Sequence, residues 1–283
     1  MLAELSETDA TGEIAGIFAE VRQLWGVPYV SAIQRHLATR PGFLEWAWEA
    51  VGPAFRDGRA QEAGWTAAAG LTIAPLVRIP RPALAVWGVD ARGIEMARLV
   101  ADGFVRVAPV NMMFAALVKR LLAGEQPVGS HAAATLWAAP AALPAPPAMV
   151  DPASLDADQR SVLMLFASEM DGKPFVPGLY RMLAHWPGLL AHLGTVLAPR
   201  LTSEETRATC DLLRARIDAA VPAVLAGLPS QRLTRPTPPP AERTHFNAVG
   251  ETYRKTSPEL VVVGRLIRDA LPGSVPDKSS AKP

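Results

Sequence analysis

At 283 residues the chain is long enough for one large domain or two of ordinary size. Apolar residues make up 49% and charged residues 19%, and the formal net charge of +1 offers no excess to recruit nucleic acid or an anionic membrane. The single cysteine, Cys210, excludes an intrachain disulfide framework, a CxxC redox pair and a zinc site built on several cysteines.

The opening MLAELSETDATGE is acidic where a signal peptide would be basic and then apolar, so a soluble cytoplasmic protein is expected. Ile14, Ile17, Phe18, Val21 and Leu24 recur at helical spacing behind Thr11, a fair N-cap, and Gly26-Val27-Pro28 ends that helix. A second helix is predicted over Val30 to Ala38, and a third begins at Pro41. Residues Gln61 to Leu76 and Pro82 to Phe104 read as two more, rich in good helix formers. Pro109 is expected to open another helix, MMFAALVKRLLAG, closed by Gly124.

Residues 126–152 are Ala/Pro-rich and suit an extended linker. Pro140, Pro144, Pro146 and Pro147 interrupt the apolar run there, so it cannot be a spanning helix. The helical pattern then restarts behind Ser154. Helices led by Pro177 and Pro187 follow, then one beginning TSEE, a near capping box, with Leu212, Leu213, Ile217, Val221 and Leu225 along one stripe. The last helices carry Tyr253 and Pro258 to Leu271, and the tail from Ser274 is expected to be disordered.

The chain repeats itself. LWGVPYVSAIQRHLATRPG lies over EMDGKPFVPGLYRMLAHWPG, with Pro28 on Pro174, Arg35 on Arg181 and Pro41 on Pro187. VAPVNMMFAALVKRLLAG likewise matches TSPELVVVGRLIRDALPG, with Pro109 on Pro258. The expected fold is therefore all-α: two tandem helical repeats, 8–125 and 153–273, joined by the linker 126–152 and followed by the tail 274–283. Such halves are expected to pack about a pseudo-twofold axis, with a ligand site in the cleft between them.

Divergence between the copies marks candidate chemistry. Trp25 in the first copy faces Asp171 in the second, so folding does not require an acid at that position. A carboxylate among apolar helices is costly unless hydrogen-bonded or useful. Asn111 stands opposite Leu260, Tyr253 opposite Phe104, and His185 opposite Thr39. Each also has an ordinary reading: a cap for Asn111, a buried hydroxyl with some partner for Tyr253, a helix-end residue for His185. His185 and His192 have no acidic residue at ligand spacing, and neither a metal site nor a cofactor motif is present.

The units GVPYVSAIQRHLATRPGFLEWAW, PVNMMF and DGKPFVPGLYRMLAHWP together resemble the DehI-type (group I) 2-haloacid dehalogenases over Thr11 to Gly273. The resemblance implies an all-helical pseudo-dimer that pairs into a homodimer. It also implies hydrolysis of short 2-halocarboxylic acids, without cofactor, by an Asp-activated water that displaces halide with inversion. The family's catalytic Asp resembles Asp171, its water-orienting Asn resembles Asn111, and its active-site Tyr resembles Tyr253. The position before W-P, often Asn in members accepting both enantiomers, is His185 here.

For such chemistry a carboxylate takes the proton of the attacking water, and an amide holds that water in line. Helix N-termini at Pro177 or Pro109 are expected to receive the substrate carboxylate. Trp25, Tyr29, Phe175 and Trp186 are expected to wall the halide. The other readings are a non-catalytic binder of small carboxylates, or a hydrolase of another carboxylic acid, in the same cleft. An AhpD-like thiol peroxidase is disfavoured because Cys210 has no CxxC partner.

Overall fold

The computed structural model describes residues 3–129, 137–170, 173–230 and 233–273. Among them helices dominate: α1 Gly12–Trp25, α2 Ala32–Leu37, α3 Phe43–Arg56, α4 Arg59–Ala68, α5 Arg81–Val86, α6 Ala91–Leu122, α7 Ala157–Met164, α8 Gly178–Leu183, α9 Pro187–Leu201, α10 Glu204–Ala226 and α11 Pro240–Ala270. Two three-residue strands, β1 Ser168–Met170 and β2 Lys173–Phe175, pair antiparallel with Ser168 opposite Phe175. The fold is all-α with one small β pair, absent from the sequence-based reading because three-residue strands carry no usable periodicity.

Two helices are much longer than expected. α6 runs straight through Pro109 and α11 through Pro258, so neither proline opens a helix. An interior proline costs about 3 kcal/mol in a helix. Here the residues after the break are buried, among them Val110, Met113, Phe114 and Leu117, and each such side chain contributes roughly 1.5–3 kcal/mol. Burial wins. The indole of Trp65 also donates to the Arg106 carbonyl at 3.0 Å, one turn before Pro109. At its start α6 is capped by Asp90, which accepts from the Gly93 amide at 2.7 Å. It is long and apolar enough to cross a membrane by length and composition, but it is mostly buried as a core helix.

α4 is shorter than expected. It ends at Ala68, and residues 69–80 run without helix. Gly70 adopts φ +64°, and Pro75 and Pro80 lack the amide a helix needs. Arginines from later helices take the freed carbonyls: Arg216 donates to Ala69 at 2.8 Å, and Arg265 to Ala68 at 2.7 Å. Further along, α7 begins behind Asp156 rather than Ser154, and Ser203 caps α10. The described part of the linker lies along the surface, fixed where Leu143 donates to Gly26 at 3.0 Å and Val150 to Arg181 at 3.2 Å.

Two hydrophobic cores result, and neither coincides with one half of the sequence. The first joins α1–α4, the C-terminal part of α6 and α10 with Phe246 of α11. The second joins α5, the N-terminal part of α6, α8 and α9 with the C-terminal part of α11. α6 and α11 therefore lie against one another and pass through both cores. Their contact is close at Gly264, where an added Cβ would meet Val105 Cγ2 at 2.9 Å and the Ala101 carbonyl at 3.0 Å. Gly264→Ala is expected to destabilise by about 1–3 kcal/mol through overpacking. That outweighs the roughly 1 kcal/mol that Ala gains over Gly in a helix. The urea midpoint should fall, and a rise would mean the two helices can separate freely.

Candidate active site

A cavity of about 140 Å³ opens between α2, α6, α8 and α11. That is close to the volume that accommodates one benzene, so a small organic acid fits. Its walls include pairs of residues that align between the two halves of the sequence. Tyr29 and Phe175 both line it, as do Arg35 and Arg181, Phe104 and Tyr253, and Asn111 and Leu260. The pairs diverge in polarity: Asn111 and Tyr253 each bring hydrogen-bonding groups where the partner copy is apolar.

Asn111 lies in the middle of α6, where the helix carries it past Pro109 to the cavity wall. Its side-chain oxygen accepts from Trp25 Nε1 at 3.2 Å and from Gln34 Nε2 at 3.0 Å. Its nitrogen donates to Ser31 Oγ at 2.8 Å. An indole N–H can only donate, so Trp25 fixes which end of the amide is oxygen. One of the two amide hydrogens then remains for another acceptor. This is a held amide, oriented by three neighbours, with a donor to spare.

Trp25 itself is not part of the wall. It is fully buried behind Asn111, stacked on Phe55 at 4.7 Å, so the expected contact with substrate becomes a contact with Asn111. His185 also stands apart from the expected place. It is exposed and donates through Nε2 to the Ala148 carbonyl at 2.8 Å, next to Met149 of the wall. A carbonyl can only accept, which sets the direction of that bond. Trp186 packs into the second core. Asp171 lies outside the described residues, between the paired positions Met170 and Lys173 and four residues before Phe175.

The polar side of the cavity includes groups that sequence reasoning passed over. Residues from Ala3 onward lie along α2: the Ala3 carbonyl accepts from His36 Nδ1 at 2.7 Å, and Leu5 donates its amide to the Arg35 carbonyl at 3.0 Å. Glu4 thereby reaches the cavity and pairs with Arg35 at 2.5 Å. Burial raises the Glu4 carboxyl above its ordinary range, against the opposing pull of Arg35, Arg181 and His36. Glu7 accepts from the Val30 amide at 2.8 Å and from Arg22 at 2.6 Å. The Tyr29 and Tyr253 hydroxyls and Arg35 Nε are buried with no hydrogen-bond partner among the described residues. Burial raises both phenols, so they stay protonated and able to donate. The one sequence signal for the arginines was their alignment with each other.

No protein-family model matches the sequence, and no curated protein matches it. Among solved structures, a D-2-haloacid dehalogenase mutant in complex with D-2-CPA superposes with a TM-score of 0.74 over 96% of both chains at 21% identity. A D-2-haloacid dehalogenase with L-LA gives 0.74 over 96% of this chain and 97% of the other at 20% identity. A further mutant of a D-2-haloacid dehalogenase gives 0.73. The fold is that of the D-2-haloacid dehalogenase structures.

Cys210 is buried, and burial, aided by Glu259, pushes its thiol up to about 12, which keeps it protonated and unreactive. Among the described residues no group of three His, Cys, Asp or Glu is placed to hold a metal ion.

Proposed function

We propose that this protein is a hydrolytic 2-haloacid dehalogenase, acting on short 2-haloalkanoic acids by direct attack of an Asp-activated water. The observation that carries the reading is the cavity. In a fold shared with D-2-haloacid dehalogenases, it gathers Asn111, Tyr253, Tyr29 and Phe175 from both halves of the chain around space for a small acid. The two halves, in this reading, are a pseudo-dimer with the site on its axis. Asp171 is the base: it is the repeat counterpart of Trp25, which touches Asn111, and it precedes Phe175 of the wall by four residues.

In the proposed step the spare N–H of Asn111 holds a water by its oxygen. Asp171 takes one proton from that water as its oxygen forms a bond to C2. The carbon–halogen bond breaks on the opposite side, its electron pair leaves with the halide, and the carbon inverts. Tyr29, Phe104 and Phe175 offer the leaving halide an apolar wall. Pro109 was one expected source of a helix N-terminus for the substrate carboxylate, but it lies inside α6, where the amides are already engaged in the helix.

The test is halide release from each enantiomer of 2-chloropropionate. Release from the D enantiomer, with L-lactate as product, is expected. Single-turnover hydrolysis in labelled water should place label in the first product. Enzyme oxygen in that product would instead make Asp171 a covalent nucleophile. No release from either enantiomer would favour a binding protein using the same cavity.

A further inference from the structure

Among the described residues that line the cavity, three arginines stand against two glutamates. Arg254 is engaged by Asp218 through two hydrogen bonds, at 2.7 and 2.8 Å, and Glu7 is engaged by Arg22. That leaves Arg35, Arg181 and Glu4 among the described charged residues of the wall. Among the described residues Arg181 has no ion-pair partner, and its Nε donates to the Val150 carbonyl at 2.9 Å. Arg35 pairs with Glu4 yet keeps a buried Nε without a partner. Both guanidinium groups act on the Glu4 carboxylate, and Tyr253 feels Glu4 and Arg35 in turn. Two repeat-related arginines, a tyrosine hydroxyl and one carboxylate supplied by the chain itself thus share one corner of the cavity.

We propose that Arg35 and Arg181 form a carboxylate-binding subsite, that Glu4 occupies it from within the chain, and that a small carboxylic acid binds by taking the place of Glu4. The inference rests on the cavity being the substrate site and names how the acid end of the substrate is recognised. A planar guanidinium matches a carboxylate through paired N–H donors, and the free Nε of Arg35 extends that set. With Glu4 in place, an incoming anion meets a like charge on the same arginine. With Glu4 withdrawn, it meets two cations and a phenol donor.

Withdrawal is structurally accessible because Glu4 lies outside any helix or strand. The segment that carries it is tied to α2 through His36 and the Arg35 backbone rather than built into a helix. The shared residues Arg35 and Arg181 are then more than scaffold. The internal repeat supplies two identical cations to one small acid, and the N-terminal segment supplies its competitor.

The experiment measures binding, not turnover. Dissociation constants of propionate and of the neutral propionamide are taken by calorimetry for wild type, Glu4→Gln, Arg35→Lys and Arg181→Gln. Glu4→Gln is expected to tighten propionate by about tenfold or more, the effect of one like charge at close range, and to leave propionamide unchanged. Arg35→Lys and Arg181→Gln should each weaken propionate by about tenfold and spare propionamide. Glu4 lies outside any helix or strand, so Glu4→Gln keeps the test alive if an arginine variant fails to fold. Unchanged or weaker propionate binding in Glu4→Gln, or an equal shift for both ligands, overturns the proposal. Propionate responding as described while no haloacid is hydrolysed would sink the dehalogenase reading alone.

Discussion

Asp171→Asn is expected to reduce halide release from 2-chloropropionate by roughly 10²–10⁴-fold, the usual contribution of a positioned general base. The substitution keeps the size and planarity of the side chain and removes its ability to take a proton. Water is a weak nucleophile toward a saturated carbon, so losing the proton acceptor should appear in kcat, with KM little changed. The fold should be indifferent to the change. The first copy of the repeat places Trp25 at the equivalent position, so an acid there is not a requirement of the scaffold. The thermal midpoint of Asp171→Asn should match wild type. Full activity in the variant would remove Asp171 from the proposed step, and Glu4 and Glu7 would then be the alternative acids on the described wall.

The helical class was legible because it lives in patterns of apolar spacing. Helix ends were not. Pro109 and Pro258 each read locally as starts, and each was overruled by burial of the residues that follow, which no local pattern reports. The reverse happened after α4. Leu71, Ala74 and Leu76 are good helix formers yet lie outside any helix, because Gly70, the prolines and the arginines of α10 and α11 decide that segment.

Two residues of the cavity wall were legible where the aligned segments differ. Asn111 and Tyr253 stood out against Leu260 and Phe104, and all four line the cavity. Arg35 and Arg181 were hidden by the same logic, since identity between copies reads as scaffold. Glu4 was hidden because a charge near a chain end reads as solvated, and only three-dimensional placement brings it against Arg35. Trp25 was misplaced by a short distance in space: its indole stops at Asn111, one layer behind the wall.

That layer makes Asn111 the place where stability and activity can be separated. Asn111→Leu copies the residue of the other half. It leaves Trp25 Nε1 and Gln34 Nε2 without their acceptor, each at about 1–3 kcal/mol for a buried unpaired donor. A clear fall in the urea midpoint is expected, together with loss of halide release. Asn111→Asp is the sharper test. A carboxylate still accepts from Trp25 and Gln34, and Ser31 can turn its hydroxyl to donate. The midpoint should therefore stay close to wild type. The spare N–H is gone, however, and a negative charge stands where the attacking water is to be held, so kcat should fall by about 10²-fold or more. An Asn111→Asp enzyme that keeps its activity would reduce Asn111 to a packing anchor for Trp25. The pair can be checked together: Trp25→Phe removes the indole donor that Asn111→Leu strands. The double variant should therefore be more stable than the two single losses predict, by about 0.5–3 kcal/mol.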